Sequence, residues 1–342
     1  MPKGLELFDE SKHGVSYTLL SDWLTCREKA RLKLAGWRSR EPKLALSFGS
    51  IFHTVIETGY REIAQGELQD VPSHEEVAKW IGVAEAAWRK EHKRATPEAL
   101  ETLELSLLFA TAVLPMYFEY WEDDIFAMTF EQIEQFFSVP FKLPNGRWIN
   151  IKGKWDAIYK LGKGDWLQES KSSSRIDVEI LPDLLPLSMQ SRMYLLLYRW
   201  KHGENLRGFL RDIIRRPNLR RGKKERIDEY AARCVKDAEE RPDHYFHRYE
   251  ISMGKDEIDE FETEFRFMLE DFWRWRWDNV GHYRNTNECK GKYGLCSMFN
   301  ICARKDFSRH VQMDWAKKEE GKKRVKVRRK KRRRSDGQTS FN

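Results

Sequence analysis

Only five cysteines occur in the 342 residues, and an odd number without an export signal argues against a disulfide framework. Metal ligation or simple burial is left for them. No stretch approaches the roughly 18 apolar residues of a membrane span, and the first thirty residues, with Glu6, Asp9, Glu10 and Asp22, lack the apolar core of a signal peptide. A soluble protein of a reducing compartment is expected, with no membrane partner. No internal repeat is visible. No segment fits the phosphate-cradling G-x-x-x-x-G-K-[ST] pattern, so no ATP-driven motor is built in, and no RNA-reading module is visible.

Net positive charge is scarce in the part of the chain that would fold. There are 62 Lys+Arg against 54 Asp+Glu, a formal +8, and the first inference from that number is nucleic-acid binding. Thirteen Lys/Arg and only Glu319 and Glu320 lie between Lys317 and Arg334, a net of +11. Met1 to Ala316 thus hold 49 basic and 51 acidic side chains, a net of −2. The tail reads as disordered in isolation. Its composition suits a non-specific DNA arm, a nuclear localisation signal, a partner-docking segment or a solvated end.

Tyr17 to about Ile125 reads as helical. Phe48 to Gln65 repeats apolar residues at Phe52, Val55, Ile56 and Ile63, and two more periodic stretches cover Val77 to Glu91 and Ala99 to Trp121. From Thr129 the period changes to that of strands: Phe136 to Lys142, Trp148 to Leu161 and Asp165 to Ser173, separated by turn residues at Pro144-Asn145-Gly146 and Gly162-Lys163-Gly164. A helix from Leu187 to Trp200, a strand from Arg207 to Arg215, and helices over Glu225 to Glu239 and Lys255 to Trp277 complete the pattern. This order specifies an α/β arrangement, a small mixed sheet bracketed by helices. It divides into an N-terminal helical region at 1–128, a core with a cysteine-rich end at 129–316, and the tail at 317–342.

Strand alternation puts Glu169 and Lys171 on one face of their strand and Gln168 and Ser170 on the other. In the preceding strand Asp156 shares a face with Lys152 and Lys154. If the intervening turn makes paired positions sum to 325, Asp156 lies opposite Glu169; a turn one residue later sets it opposite Lys171. Two converging carboxylates repel unless a cation separates them, and hard oxygen ligands suit Mg²⁺ or Mn²⁺. A neighbouring lysine can hold an attacking water or offset phosphoryl charge. The plain alternative is a surface ladder of cross-strand charges.

The order of motifs bears on that choice. Gly49-Ser50-Ile51-Phe52-His53, Gly153-Lys154-Trp155-Asp156, Glu169-Ser170-Lys171 and Gln190-Ser191-Arg192-Met193-Tyr194 resemble the G-x-x-x-H, G-x-x-D, E-x-K and Q-x-x-x-Y elements of the PD-(D/E)XK nuclease superfamily, in its RecB-like branch. The strand Arg207 to Pro217 is similar to the one that follows the Q-x-x-x-Y helix. The resemblance implies a restriction-endonuclease-like fold and a DNA exonuclease of recombination, repair or replication. It implies a divalent metal held by His53, Asp156, Glu169 and the main chain of Ser170, with Lys171 placing the water and Gln190 and Tyr194 orienting the DNA. Glu57, one turn after His53, is either an acceptor for its second ring N–H or a solvated helix residue. A helicase or recombination partner would supply processive unwinding. The setting implied is the cytoplasm of a bacterium or phage-infected host, with a nucleus or organelle as the alternative.

Cys289, Cys296 and Cys302 cluster, and Cys26 stands apart near the amino terminus. Four such thiolates can hold a 4Fe-4S cluster, and the arrangement resembles the iron-sulfur members of that branch, of AddAB and CRISPR-adaptation type. Structural Zn²⁺ competes, as do buried free thiols; Cys234 reads as a small core residue. The competing functional class is a catalytically silent iron-sulfur protein that binds DNA ends or acts as an adaptor.

Overall fold

The computed structural model describes residues 8–315 apart from 41–42, 94, 163, 279–280, 292–293 and 314. The basic tail and the turn residue Lys163 lie outside the described residues. The chain forms two compact units, one from Met1–Arg40, Pro140–Ile151 and Leu269–Asn342, the other from Glu41–Val139 and Lys152–Met268.

The larger unit carries the helices α1 (Leu44–Ala64), α2 (His74–Glu91) and α3 (Pro97–Tyr120). A reciprocal capping box of Ser73 and Glu76 starts α2, and Thr96 caps α3 just before its Pro97. Phe48, Phe52, Val55, Trp80, Phe109, Val113 and Phe118 from the three helices are buried together, the source of most of their stability. One expectation is corrected here: α3 is long and apolar enough to span a membrane by composition, although half of that stretch is buried within the protein. Counting consecutive apolar residues missed it because Glu104, Ser106 and Thr111 interrupt the run.

The five long strands of the six-stranded sheet are β1 (Thr129–Lys142), β2 (Trp148–Leu161), β3 (Gly164–Ser173), β4 (Gly208–Arg215) and β5 (Phe246–Ser252), in the order β1-β2-β3-β4-β5. It is mixed: β3 pairs antiparallel with β2 and parallel with β4, and β5 returns antiparallel. The crossover between β3 and β4 contains α4 (Met189–His202), which ends on the left-handed Gly203 at φ 80°. After β4 come α5 (Ile227–Glu240) and, beyond β5, α6 (Lys255–Trp277). Residues 166–170 of β3 are all buried, as a central strand covered on both faces requires. Gln168 donates to Tyr60 of α1 while Glu169 accepts from Ser191 of α4, so these helices cover opposite faces. The result is the mixed sheet flanked by helices that the motif order implied.

In the smaller unit Trp37–Ser39 pairs antiparallel with His310–Gln312. Trp23 packs edge-on against Phe272, and the Arg27 guanidinium lies 3.5 Å over the Trp23 ring. Leu32, Met298 and Ile301 form a second small core beside Cys296 and Cys302.

Candidate active site

The ladder between β2 and β3 runs from Leu161↔Gly164 to Ala157↔Gln168, so paired numbers sum to 325. Asp156 and Glu169 are the next positions in that register, just past the last pair. The strands part there. Asp156 fills the gap with its side chain: Oδ2 accepts the Ser170 backbone N–H at 2.8 Å, replacing the missing ladder bond.

His53 reaches the same place from α1. Its Nδ1 is 3.7 Å from Asp156 Oδ1 and 3.7 Å from Glu134 Oε1. Each of these three residues offers a ligating atom within 4.8 Å of the others, and among the described residues no other group of three does so. Burial, with help from Lys171 and Lys154, pushes the His53 pKa down against the pull of Asp156 and Glu169, favouring the neutral imidazole that ligates metals. Glu57 accepts instead from Arg61, at 2.9 and 3.1 Å.

Glu134 was not anticipated, and the cause is visible in β1. Phe137, Val139 and Phe141 are buried in strict alternation, but Glu134 is buried one position out of phase, with φ at 51°. A non-glycine residue in the left-handed region is uncommon, and this one turns its carboxylate inward where a regular strand would turn it out. Neither oxygen has a hydrogen-bond partner, although the Lys154 ammonium lies against Oε2. A break in alternation inside an otherwise regular strand was the available signal.

Glu169 sits apart from that trio. It is 1% exposed and accepts from Ser191 Oγ at 2.7 Å and Arg211 Nη2 at 3.1 Å, with Lys171 Nζ 2.8 Å from its other oxygen. Burial alone would raise its pKa, but Lys171 and Arg211 outweigh it and hold the carboxyl below its ordinary value. The structure thus brings His53 and Asp156 together with Glu134, and joins Asp156 to Ser170. Glu169, opposite Asp156 in the register, forms an ion pair with Lys171.

Tyr194 is buried by α4 against Phe137 and Trp155, with ring centroids at 5.5 and 6.2 Å. Burial raises its pKa, and its hydroxyl is hydrogen-bonded to Gln190 and the Lys154 backbone. Gly153 is needed for this arrangement, since a Cβ there would lie 2.3 Å from Phe137 and 3.0 Å from Tyr194. Gly49 likewise lets α1 approach β3, its Cβ position being 3.0 Å from Ser172 Oγ. On the opposite face of β3 lies a buried polar network. Asp212 accepts from Tyr117 at 2.6 Å and Arg248 Nε at 3.0 Å, with Gln168 Nε2 at 3.3 Å and Ser170 Oγ at 3.5 Å.

In the smaller unit Cys26, Cys289, Cys296 and Cys302 line one cavity of about 320 Å³ together with Leu32, Met298 and Phe299. All are free thiols. Partial desolvation and the other three thiols raise the Cys289 pKa.

A helix-covered mixed sheet whose parting strands gather carboxylates, an imidazole and a lysine is the layout of a nuclease-type hydrolase. The sequence model of the PD-(D/E)XK nuclease superfamily matches residues 14–303, and the chain belongs to that superfamily. No curated protein sequence matches the chain. Among solved structures it is similar to a provisionally assigned exonuclease from Eubacterium rectale, at 12% identity and a TM-score of 0.44, covering 88% of this chain and 96% of that one. It is also similar to SSO0001, at 16% identity and a TM-score of 0.29, covering 73% and 96%.

Proposed function

We propose that the chain is a Mg²⁺- or Mn²⁺-dependent deoxyribonuclease of the RecB-like branch, an exonuclease acting at DNA ends or on single strands in recombination, repair or replication. The observation that carries this reading is the convergence of His53, Glu134 and Asp156 within 4.8 Å, with Glu169, paired to Lys171, opposite Asp156 in the β2–β3 register. Lys154 already lies against Glu134 Oε2, while Glu134 Oε1 faces His53, and two carboxylates with an imidazole are a donor set that fits a hard divalent ion. When bound, that ion offsets charge on a phosphoryl oxygen and makes water a better nucleophile.

The protein's own groups do the positioning. The Ser170 N–H fixes Asp156, and the depressed pKa of His53 keeps its lone pair available. Arg211 and Lys171 keep Glu169 ionised. With one N–H directed at Glu169, Lys171 retains two donors for an incoming water or a phosphoryl oxygen. Gln190 and Tyr194, hydrogen-bonded one turn apart, would orient the DNA strand.

The reading extends to a 4Fe-4S cluster on Cys26, Cys289, Cys296 and Cys302, with structural Zn²⁺ as the competitor. Visible absorbance of anaerobically purified protein distinguishes the cluster from zinc. A helicase or recombination partner would supply unwinding. Cleavage of end-labelled linear and circular DNA with Mg²⁺ or Mn²⁺ tests the main reading. Linear substrate should be consumed and circles spared, and undiminished cleavage by Asp156→Ala and Lys171→Ala would refute the site.

A further inference from the structure

The body up to Ala316 carries a net −2, yet residues 215–226 hold seven Lys/Arg and one acid, Glu225. Eleven of these, 216–226, connect β4 to α5 without regular structure. Long irregular connections in compact domains are usually functional or disordered, and this one is tied down at several points. Glu225 accepts the Gly222 N–H at 2.7 Å and Arg233 at 2.8 Å, and Arg233 also donates to the Arg220 carbonyl at 2.8 Å. Tyr230 donates to the Leu219 carbonyl at 2.8 Å.

These ties involve the backbone and the loop's one acid. They leave the charges outward: Arg220, Lys223 and Lys224 are exposed, and among the described residues no carboxylate pairs with them. Arg221 is tied to the Glu225 carbonyl and Arg226 to Asp228, but a built loop that holds Arg220, Lys223 and Lys224 together without carboxylate partners is strained electrostatically until a polyanion meets it.

Its place in the sheet says where that polyanion lies. β3 and β4 are parallel, with Lys171 beside Ile213 and Ser173 beside Arg215. The loop therefore leaves the sheet at the end where Lys171 stands, two residues further on. The loop thus starts roughly 7 Å of strand past Lys171, about two nucleotide steps at 3.4 Å per phosphate on each strand, and Arg220, Lys223 and Lys224 follow four to eight residues after its first residue.

We propose that the 216–226 loop is a preformed clamp for the nucleic-acid phosphate backbone a few nucleotides from the bond that is cut. The proposal rests on the nuclease reading and adds to it the surface that holds the substrate. The test measures binding of the full chain to a fluorescent DNA duplex in EDTA, so that turnover plays no part, between 50 and 200 mM salt. The variants are Arg220→Gln/Lys223→Gln/Lys224→Gln and a control of equal charge change on exposed residues elsewhere, Lys79→Gln/Lys90→Gln/Lys93→Gln.

Three lost phosphate contacts lower the salt slope by about 2.7, so across this range the wild type should lose about 40-fold more affinity than the loop variant. The control should keep the wild-type slope. An unchanged slope in the loop variant, or an equal loss in the control, overturns the proposal. Cleavage by the wild type with Mn²⁺, run separately, reports on the nuclease reading alone.

Discussion

Glu134 and Gly153 each do something that their residue type disfavours or uniquely permits. A glutamate in the left-handed region is held there by its surroundings, and it faces His53 and Asp156 as a third potential ligand. Glu134→Gln should weaken Mn²⁺ binding at least 10-fold, on the order of what loss of metal-supporting groups costs, as read by titration calorimetry. Lys171→Ala should lower turnover by about 10² to 10³, the scale of losing one group that stabilises transition-state charge, with duplex affinity in EDTA little changed. Gly153→Ala drives a methyl against the Phe137 ring and should cost about 1–3 kcal/mol of stability by overpacking, measured by urea unfolding. The meeting of His53 with Asp156 and of Glu169 with Lys171 is legible in the sequence because each residue sits in a short motif with fixed spacing. Glu134 was not, since its position depends on a break in alternation whose direction only the folded strand reveals.

Among the elements, β2 and α6 occupy the ranges that alternation and helical period predict, Trp148–Leu161 and Lys255–Trp277. Their signals are long and their ends are marked by turn residues. β1 extends seven residues further toward its amino end than the pattern indicates, because the irregularity at Glu134 masks its first half. The register of β2 on β3 could not be chosen from the sequence, since the turn admitted two pairings, and packing decides it. Behind β3, Asp212 and Arg248 form a buried pair at 3.0 Å. Asp212→Ala leaves the guanidinium with Asp124 and Tyr117 as partners and should cost about 1–3 kcal/mol, visible in urea unfolding.

The loop after β4 has its own titration. Hydrogen bonds from Arg233 and the Gly222 N–H bring the Glu225 pKa down to about 2. A depressed carboxylate stabilises fully above its unfolded value of 4.5 and loses that contribution as pH falls toward 2. Carbon-detected NMR of the Glu225 carboxyl should show a midpoint near 2, and Arg233→Gln should return it toward 4.5.

Across the whole molecule, charge is partitioned: a body at −2 with one basic loop at its sheet end, and a tail at +11. If the tail engages on the order of 6 to 10 phosphates, truncation after Ala316 should remove a salt dependence of roughly 10³ to 10⁵ in affinity between 50 and 200 mM. An unchanged slope would exclude the tail from binding. The pairing of Trp37–Ser39 with His310–Gln312 also has a consequence for biosynthesis. Its partners are separated by some 270 residues, so the strand pair cannot close until nearly all of the described chain has left the ribosome. The segments that carry the four cysteines must wait for each other, whereas 41–268 already holds every residue of the trio and the Glu169–Lys171 pair. Closure of the cysteine-lined cavity would then be a late event in the life of the nascent chain.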